Sequence, residues 1–489
     1  MTERDNGSKR IVVVGGGITG LAAAHRLMER SLPGQSPCEV LLLEAGPRLG
    51  GLISTTRRGG FLLESGPDSF ITSKPWAMEL IGRLGLSERL IGTSATGRRT
   101  FVAHGRRLHP LPEGFSLLAP TRIGPFLRSG LLSWRGKART ALDLFLPRGR
   151  PGADESLASF VRRRFGQETL TRLAQPMVGG IYTADPERLS LRATMPQFLE
   201  MEELDRSVIR ALRRLQRESL PGHKADSGPR YSLFATLDDG LQALVDSLAR
   251  RLPTGAVRLC LPVERITRGG RHWILELGDE TTLEADGVIL GLPAFQAARL
   301  TRDLDAELAA ELETIPYESS VTINLAYRRE EIPHPLDGFG FVVPACEGRS
   351  LIACSFSSLK FANRAPAGHV LMRAFVGGAL QPEAFEWDDR TLLGRVQRDL
   401  EDLLGIRAAP SWSDVVRHPR SMPQYHVGHL ARLERLERRL TRWPALKLAG
   451  NAYRGIGIPD AIHSGEAAAD AVLADLGSAQ AKRWAEAIP

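Results

Sequence analysis

Cysteine is scarce in this 489-residue chain: Cys38, Cys260, Cys346 and Cys354, with no C-x-x-C pair among them. That spacing gives no support to a zinc or dithiol centre. The four are expected to be reduced, mostly buried small hydrophobes, which suits a cytoplasmic compartment. Long apolar runs are also missing, and no stretch approaches the ~18 residues of a membrane span. Met1–Arg10 is polar and has no signal-peptide core, so no cleaved targeting segment is expected. H-E-x-x-H, P-loop and G-x-S-x-G patterns are absent, which leaves metal and serine-nucleophile chemistry without support. There is no internal repeat and no low-complexity tract. With 43% hydrophobic and 25% charged residues, the composition is that of a soluble globular protein. The length implies two or three domains.

Acidic residues are nearly missing from one long stretch. From Arg98 to Arg150, eleven Lys/Arg face only Glu113 and Asp143, a net +9 where the whole chain carries +8. Phe115, Leu117, Leu118, Phe126, Leu127, Leu131, Leu132 and Trp134 are interleaved with them. Such a mixture suits an anionic membrane surface or an anionic ligand. The alternative is a solvated basic face over an ordinary core. No nucleic-acid motif accompanies the charge, so nucleic acid is not an expected partner.

Glycine is well supplied, and its placement is informative. Ile11-Val12-Val13-Val14 reads as a buried strand, and a helix is expected over 21–30. Between them Gly15, Gly17 and Gly20 fall as G-x-G-x-x-G, with Gly16, Ile18 and Thr19 between. In that setting the first glycine permits the tight turn, the second admits a pyrophosphate, and the third lets helix and strand pack closely. A second strand, 40–43, ends in Glu44, whose carboxylate suits a ribose. Glu44 lies 24 residues past Gly20, and a loop at 33–37 accounts for the excess over the usual ~20. A dinucleotide is the expected ligand.

Residues 8–90 read as α/β, and 91–205 as mainly helical after a short strand or hairpin at 100–108. Helical spacing continues over 156–165 and 199–216, and 220–230 reads as an exposed loop. A turn at 237–244 leads into a helix ending near 252. A strand at 257–261 continuing to 266, a hairpin about Gly269-Gly270, and a buried strand within 285–293 suggest a return to the first sheet. Strands at 321–327, 339–343, 351–355 and 370–375 suggest a mixed or antiparallel sheet, with helices near 306–313 and 391–404. The tail carries a strand at 446–448 and a helix over 462–476. The expected fold class is α/β. It has a discontinuous Rossmann-like nucleotide domain (8–90, 236–296, 444–478), a helical, membrane-facing part (91–205), and an α+β substrate domain (206–235, 297–443).

The chemistry narrows at Glu44-Ala45-Gly46-Pro47-Arg48-Leu49-Gly50-Gly51-Leu52, an E-x-x-x-R-x-G-G pattern. Further elements are Gly66-Pro67-Asp68-Ser69-Phe70, Gly180-Ile181-Tyr182-Thr183-Ala184-Asp185-Pro186, Leu189-Ser190 and Gly240-Leu241-Gln242. They continue with Gly338-Phe339-Gly340-Phe341-Val342-Val343-Pro344, Phe375-Val376-Gly377-Gly378, Pro423-Gln424-Tyr425 and Gly450–Gly457. Together they resemble the flavin amine oxidase superfamily, and within it the oxygen-dependent protoporphyrinogen/coproporphyrinogen oxidase family.

The resemblance implies non-covalent FAD. Gly15, Gly16, Gly17, Ile18, Thr19 and Gly20 would hold its pyrophosphate and Glu44 its ribose. Arg48, Gly50, Gly51 and Leu52 would line the flavin, and Gly66, Pro67, Asp68 and Ser69 would frame its ring. Val263 would meet the adenine, and Asn451, Ile456, Gly457 and Ile458 would close the site. Arg99 would bind a substrate carboxylate, with Gly180, Val342, Ser355 and Phe375 lining the pocket. The implied reaction takes a porphyrinogen to a porphyrin with O2 as acceptor and hydrogen peroxide as product. Its chemistry resides at flavin N5, with no catalytic side chain and no metal. His418-Pro419 stands where the family often has Trp-Pro, and Ser355 where relatives carry larger apolar residues. His418 as proton acceptor and His418 as an ordinary structural residue both stay open. The implied setting is cytoplasmic with peripheral membrane contact, and the implied assembly a homodimer. Amine oxidases and carotenoid desaturases share the nucleotide motifs, and a GDP-dissociation-inhibitor-like binding protein is the non-enzyme alternative.

Overall fold

Ile11–Val14 is buried on both sides, and its alternation divides the molecule. Ile11 and Val13 join one apolar cluster, Val12 and Val14 another. The strand Lys9–Val14 sits at the centre of a five-stranded parallel sheet. Its neighbours in order are Val257–Arg258, Cys38–Leu43, itself, Gly287–Leu290 and Leu446–Leu448. Three separated stretches of chain thus build one sheet. A parallel sheet needs cover on both faces. Helices Ile18–Arg30, Gln242–Arg251 and Ile458–Glu486 cover one. The meander Val263–Gly269, His272–Leu277, Thr282–Ala285 and helices Ala294–Thr301, Ala306–Glu313 and His429–Leu440 cover the other. The computed structural model describes residues 9–31, 38–95, 99–149, 152, 154–218 and 233–486, with side chains to 477. The expected loops at 33–37 and 220–230 lie outside the described residues.

A seven-stranded mixed sheet forms the second layer. Its order is Trp412–Pro423, Tyr317–Arg328, His369–Gly377, Leu351–Ser355, Gly340–Val342, Thr100–His104, Arg107–Pro110. The hairpin read as a prelude to the helical segment therefore closes this sheet instead, with Thr100–His104 parallel to Gly340–Val342. Helix Asp389–Leu404 packs on the far face through Leu392, Val396 and Leu400. The helical insertion has its own core, with Phe160, Phe165, Val178 and Phe198 at its centre.

Several expectations shift. The helical spacing at 199–216 is two helices, Pro196–Asp205 and Val208–Glu218, because Arg206 takes a left-handed conformation (φ +61°). Val208, Ile209 and Leu212 pack into the helical core and not onto the seven-stranded sheet. The strand expected to run from 257 to 266 divides, with Val257–Arg258 in the parallel sheet and Val263–Gly269 opening the meander. All four cysteines are unpaired, but only Cys354 is buried. Cys38 is half-buried, and Cys260 and Cys346 are exposed, so the mostly buried placement does not hold.

Candidate functional site

The glycine loop 15–20 is built by two glycines with opposite surroundings. At Gly15 the chain turns with φ +104°, and the first turn of helix Ile18–Arg30 seats directly on its carbonyl. A Cβ on Gly20 would stand 1.9 Å from Gly15 O, whereas a Cβ on Gly17 meets nothing within 4 Å. Gly17 is the N-cap and no side chain caps the helix, which leaves its first-turn N–H groups to an anion. Ile18 is half-buried and Thr19 buried beneath that opening.

The Glu44 loop lies against this turn. Gly50 N–H donates to Gly16 O at 2.8 Å. The Glu44 carboxylate accepts from Gly16 N at 2.6 Å and Gly46 N at 2.7 Å. A carboxylate has roughly four acceptor positions, so lone pairs are left over for hydroxyls. Arg48 is exposed and folds back on its own loop, donating to the carbonyls of Leu49 (3.1 Å), Gly51 (2.6 Å) and Ile53 (2.9 Å) and so bracing the Gly50-Gly51 turn. Leu52 is exposed beside it. Val263 is buried beyond the loop, reached through Cys260 N–H to Gly46 O and Leu261 N–H to Glu44 O, each 3.0 Å.

A strap, residues 64–69, crosses next. Gly66 is required there, since a Cβ would lie 1.8 Å from Leu52 O. Pro67 follows half-buried. Asp68 accepts from Ser69 Oγ at 2.7 Å and pairs with Lys360 Nζ at 3.3 Å. Burial alone would raise this carboxyl, but Lys360 and Arg373 outweigh it and hold it at about 2. Arg373, itself buried, donates to Ser65 O at 3.1 Å and also to Gly66 O. Behind the strap, burial pushes Glu64 up to about 7 despite bonds from Leu241 N–H and Thr55 Oγ.

Register explains what faces the strap. Residues opposite one another across paired strands share a face. Val416, Thr322, Phe375, Ala353, Val342 and Val102 form one such row, and Asn324, Arg373, Ser355, Gly340 and Thr100 the next. Phe375, Val342 and Ser355 therefore stand together on the face whose Thr322 and Arg373 hold Ser65 and Gly66. The half-buried Phe375 ring has the Arg373 guanidinium 5.1 Å from its centroid. Gly180 approaches from helix Gln175–Tyr182, and its built Cβ would be 3.6 Å from Val342 Cγ1. Arg99 stands apart at the sheet's end. It is 65% exposed and paired with Asp337 at 2.9 Å.

His418 lies on the same face as Ser320, with Nε2 3.1 Å from Thr322 Oγ1. Burial first, and Arg373 second, push its imidazole down to about 4. The folded protein then binds fewer protons here than the unfolded chain between about pH 4 and 6.5. This residue's contribution to stability is intact above pH 6.5 and is lost as pH falls through that window. His418→Asn is expected to reduce the loss of stability between pH 7 and pH 5 by about 1–2 kcal/mol, read from urea titrations at the two pH values.

The last wall is the turn Gly450–Gly457. Asn451, Ile456 and Gly457 are half-buried, and Ile458 opens the final helix. Asp460 accepts from Gly457 N–H at 3.3 Å and pairs with Lys74 at 2.6 Å. Sequence reasoning missed Arg373, Lys360, Lys74 and Asp460. For Arg373 a signal existed, an arginine inside the otherwise apolar run Val370–Val376.

The model of the family described as "Flavin containing amine oxidoreductase" matches residues 18–473. A coproporphyrinogen III oxidase of Bacillus subtilis is 36% identical over 469 residues, covering 96% of this chain and 98% of that protein. Protoporphyrinogen oxidase 1, chloroplastic, of Arabidopsis thaliana is 30% identical and covers 91% and 84%. A crystal structure from Exiguobacterium sp. 255-15, named for a proposed protoporphyrinogen oxidase activity, superposes with a TM-score of 0.84 at 32% identity. It covers 96% of this chain and 99% of that one. The chain belongs to the flavin-containing amine oxidoreductases.

Proposed function

We propose that this protein binds FAD non-covalently and oxidises coproporphyrinogen III to the porphyrin, with O2 as acceptor and hydrogen peroxide as product. The observation that carries this is the single sheet face on which the strap 64–69 and the row Phe375–Val342, with Gly180 opposite, meet. Relatives named for coproporphyrinogen III range from 31% to 37% identity and the chloroplast protoporphyrinogen oxidases are at 30%, which supports the four-carboxylate substrate over protoporphyrinogen IX.

FAD fits the residues present. The uncapped helix end at Gly17 suits its pyrophosphate, Glu44 its ribose, and the turn at Gly50, Gly51 and Leu52 its flavin end. When bound, the flavin supplies the two-electron acceptor for C–H oxidation. The chain's own residues bind and orient. Asp68 and Ser69 fix the strap from one side through Lys360, and Arg373 fixes it from the other. Val342 and Phe375 present apolar surface to a flat macrocycle. Arg99 offers a guanidinium fork to a propionate. The His418 imidazole, neutral above about pH 4, faces the strap and is bonded to Thr322, whose hydroxyl in turn holds Ser65 O.

The nucleotide part in this reading comprises 8–90, 236–296 and 444–478, and the large sheet is the substrate part. The helical insertion seats on an anionic membrane surface from the cytoplasmic side. Trp134 and Phe145, 72% and 75% exposed among basic residues, support that contact. No helix among the described residues is long and apolar enough to cross a membrane. A homodimer is the proposed assembly.

The purified protein should be yellow and should generate porphyrin fluorescence with O2 uptake, faster on coproporphyrinogen III than on protoporphyrinogen IX. A protein that stays colourless with added FAD refutes the reading. Arg99→Ala should raise KM about tenfold with kcat preserved, since one exposed charge-assisted contact amounts to ~1–2 kcal/mol. Steady-state kinetics check it.

A further inference from the structure

The motif Pro423-Gln424-Tyr425 has no role in the reading above, yet it meets the flavin-closing turn directly. Tyr425 is 1% exposed. Its hydroxyl donates to Asn451 O at 2.6 Å and accepts from Gly455 N–H at 2.8 Å. Its ring stacks on His429, with centroids 4.1 Å apart and planes within 10°. His429 Nε2 in turn donates to Tyr453 O at 2.9 Å. Three alternate residues of one turn, 451, 453 and 455, are thus held from one side by a stacked pair. Burial holds the Tyr425 phenol protonated and lowers the His429 imidazole to about 4, so both groups keep their hydrogen-bonding forms at neutral pH.

The same segment reaches the substrate wall. Ser190 N–H donates to Tyr425 O at 2.8 Å, and Gln424 Nε2 donates to Tyr182 O at 3.2 Å. Tyr182 ends the helix that carries Gly180. We infer that Tyr425 is a positioning residue: with His429 it sets the turn ahead of Ile458 and registers it against the helix bearing Gly180. The turn aims the N-terminus of the last helix, whose positive dipole end stabilises negative charge on a reduced flavin. This rests on the FAD reading above.

The test is Tyr425→Phe, which keeps the ring and its stack and removes only the hydroxyl. FAD binding to the apoprotein, followed by flavin fluorescence, should weaken about tenfold, the equivalent of one or two lost hydrogen bonds. The midpoint potential of the bound flavin should fall by about 30 mV, the two-electron equivalent of a tenfold change. A merely structural hydroxyl would leave that potential where it was. His429→Phe retains a stacked ring, loses the bond to Tyr453 O, and should shift both quantities the same way. Unchanged affinity and potential, in whichever variant folds, overturn the inference. A wild-type protein that binds no FAD overturns the underlying reading instead.

Discussion

Gly20→Ala is expected to destabilise the apoprotein by about 1–3 kcal/mol and to abolish FAD retention, whereas Gly17→Ala leaves the apoprotein intact and weakens FAD alone. The two glycines belong to one motif, but different neighbours require them. A methyl on Gly20 would stand 1.9 Å from Gly15 O. That carbonyl belongs to the turn that ends the central strand, and Gly291 closes on Gly20 from the neighbouring strand, its built Cβ 3.3 Å from Gly20 Cα. The helix must then lift off the sheet, an overpacking strain of order 1–3 kcal/mol. The first-turn N–H groups move with it. At Gly17 the backbone has φ −69°, which alanine adopts freely, and no atom of the described residues beyond its chain neighbours lies within 4 Å of the added carbon. Only a ligand at that cradle would meet the methyl. Thermal unfolding of the two apoproteins, compared with flavin absorbance after dialysis against FAD, separates the cases. Equal loss of apoprotein stability in both variants would refute the division of labour.

What was legible follows the reach of each signal. The strand, the turn of glycines and Glu44 are local, and their periodicity alone places them. Val342, Ser355 and Phe375 were singled out only through the resemblance, and their adjacency is a matter of register across three strands. The strand Trp412–Pro423 escaped because it is an edge strand with no clean alternation of burial. Pro419 is tolerated there because an edge need not donate on both sides. Lys360 and Arg373 became functional candidates only when folding brought them to Asp68 and Gly66, some three hundred residues away in sequence. The hairpin at Thr100–Pro110 was visible as a hairpin, but the sheet it would join was not. The break at Arg206 needs a left-handed residue that no glycine or proline announces.

Asp143→Ala should lower stability by about 3–5 kcal/mol while leaving bound flavin in place. Asp143 and Arg164 are both fully buried in the helical insertion. Arg164 Nε donates to Asp143 Oδ1 at 2.6 Å, and the other carboxylate oxygen accepts from Ser207 Oγ at 2.5 Å and Ile209 N–H at 3.0 Å. One carboxylate thus joins the turn Leu142–Leu144, the helix Leu157–Phe165 and the start of Val208–Glu218. Glu202, 3.2 Å from Arg164, cannot replace it, because it also serves Arg163. Removing Asp143 leaves the buried guanidinium with no carboxylate but the one it shares with Arg163, and leaves Ser207 Oγ and Ile209 N–H without their acceptor, which is why the loss is large. Asp143→Leu with Arg164→Met removes both charges and should recover most of it. The clusters of the parallel sheet, which flank the glycine loop and Glu44, are separate from the insertion's core, so the proposed pyrophosphate and ribose contacts are spared. Tyr425 lies in the insertion core and Ile456 packs on it, so the closing turn is the part of the proposed FAD site that loosens first. Val178, on the helix that carries Gly180, belongs to that insertion core. The single variant should therefore raise KM for the porphyrinogen and expose the insertion to limited proteolysis before the flavin absorbance falls. Loss of flavin in parallel with the helical core would mean that the two parts unfold as one.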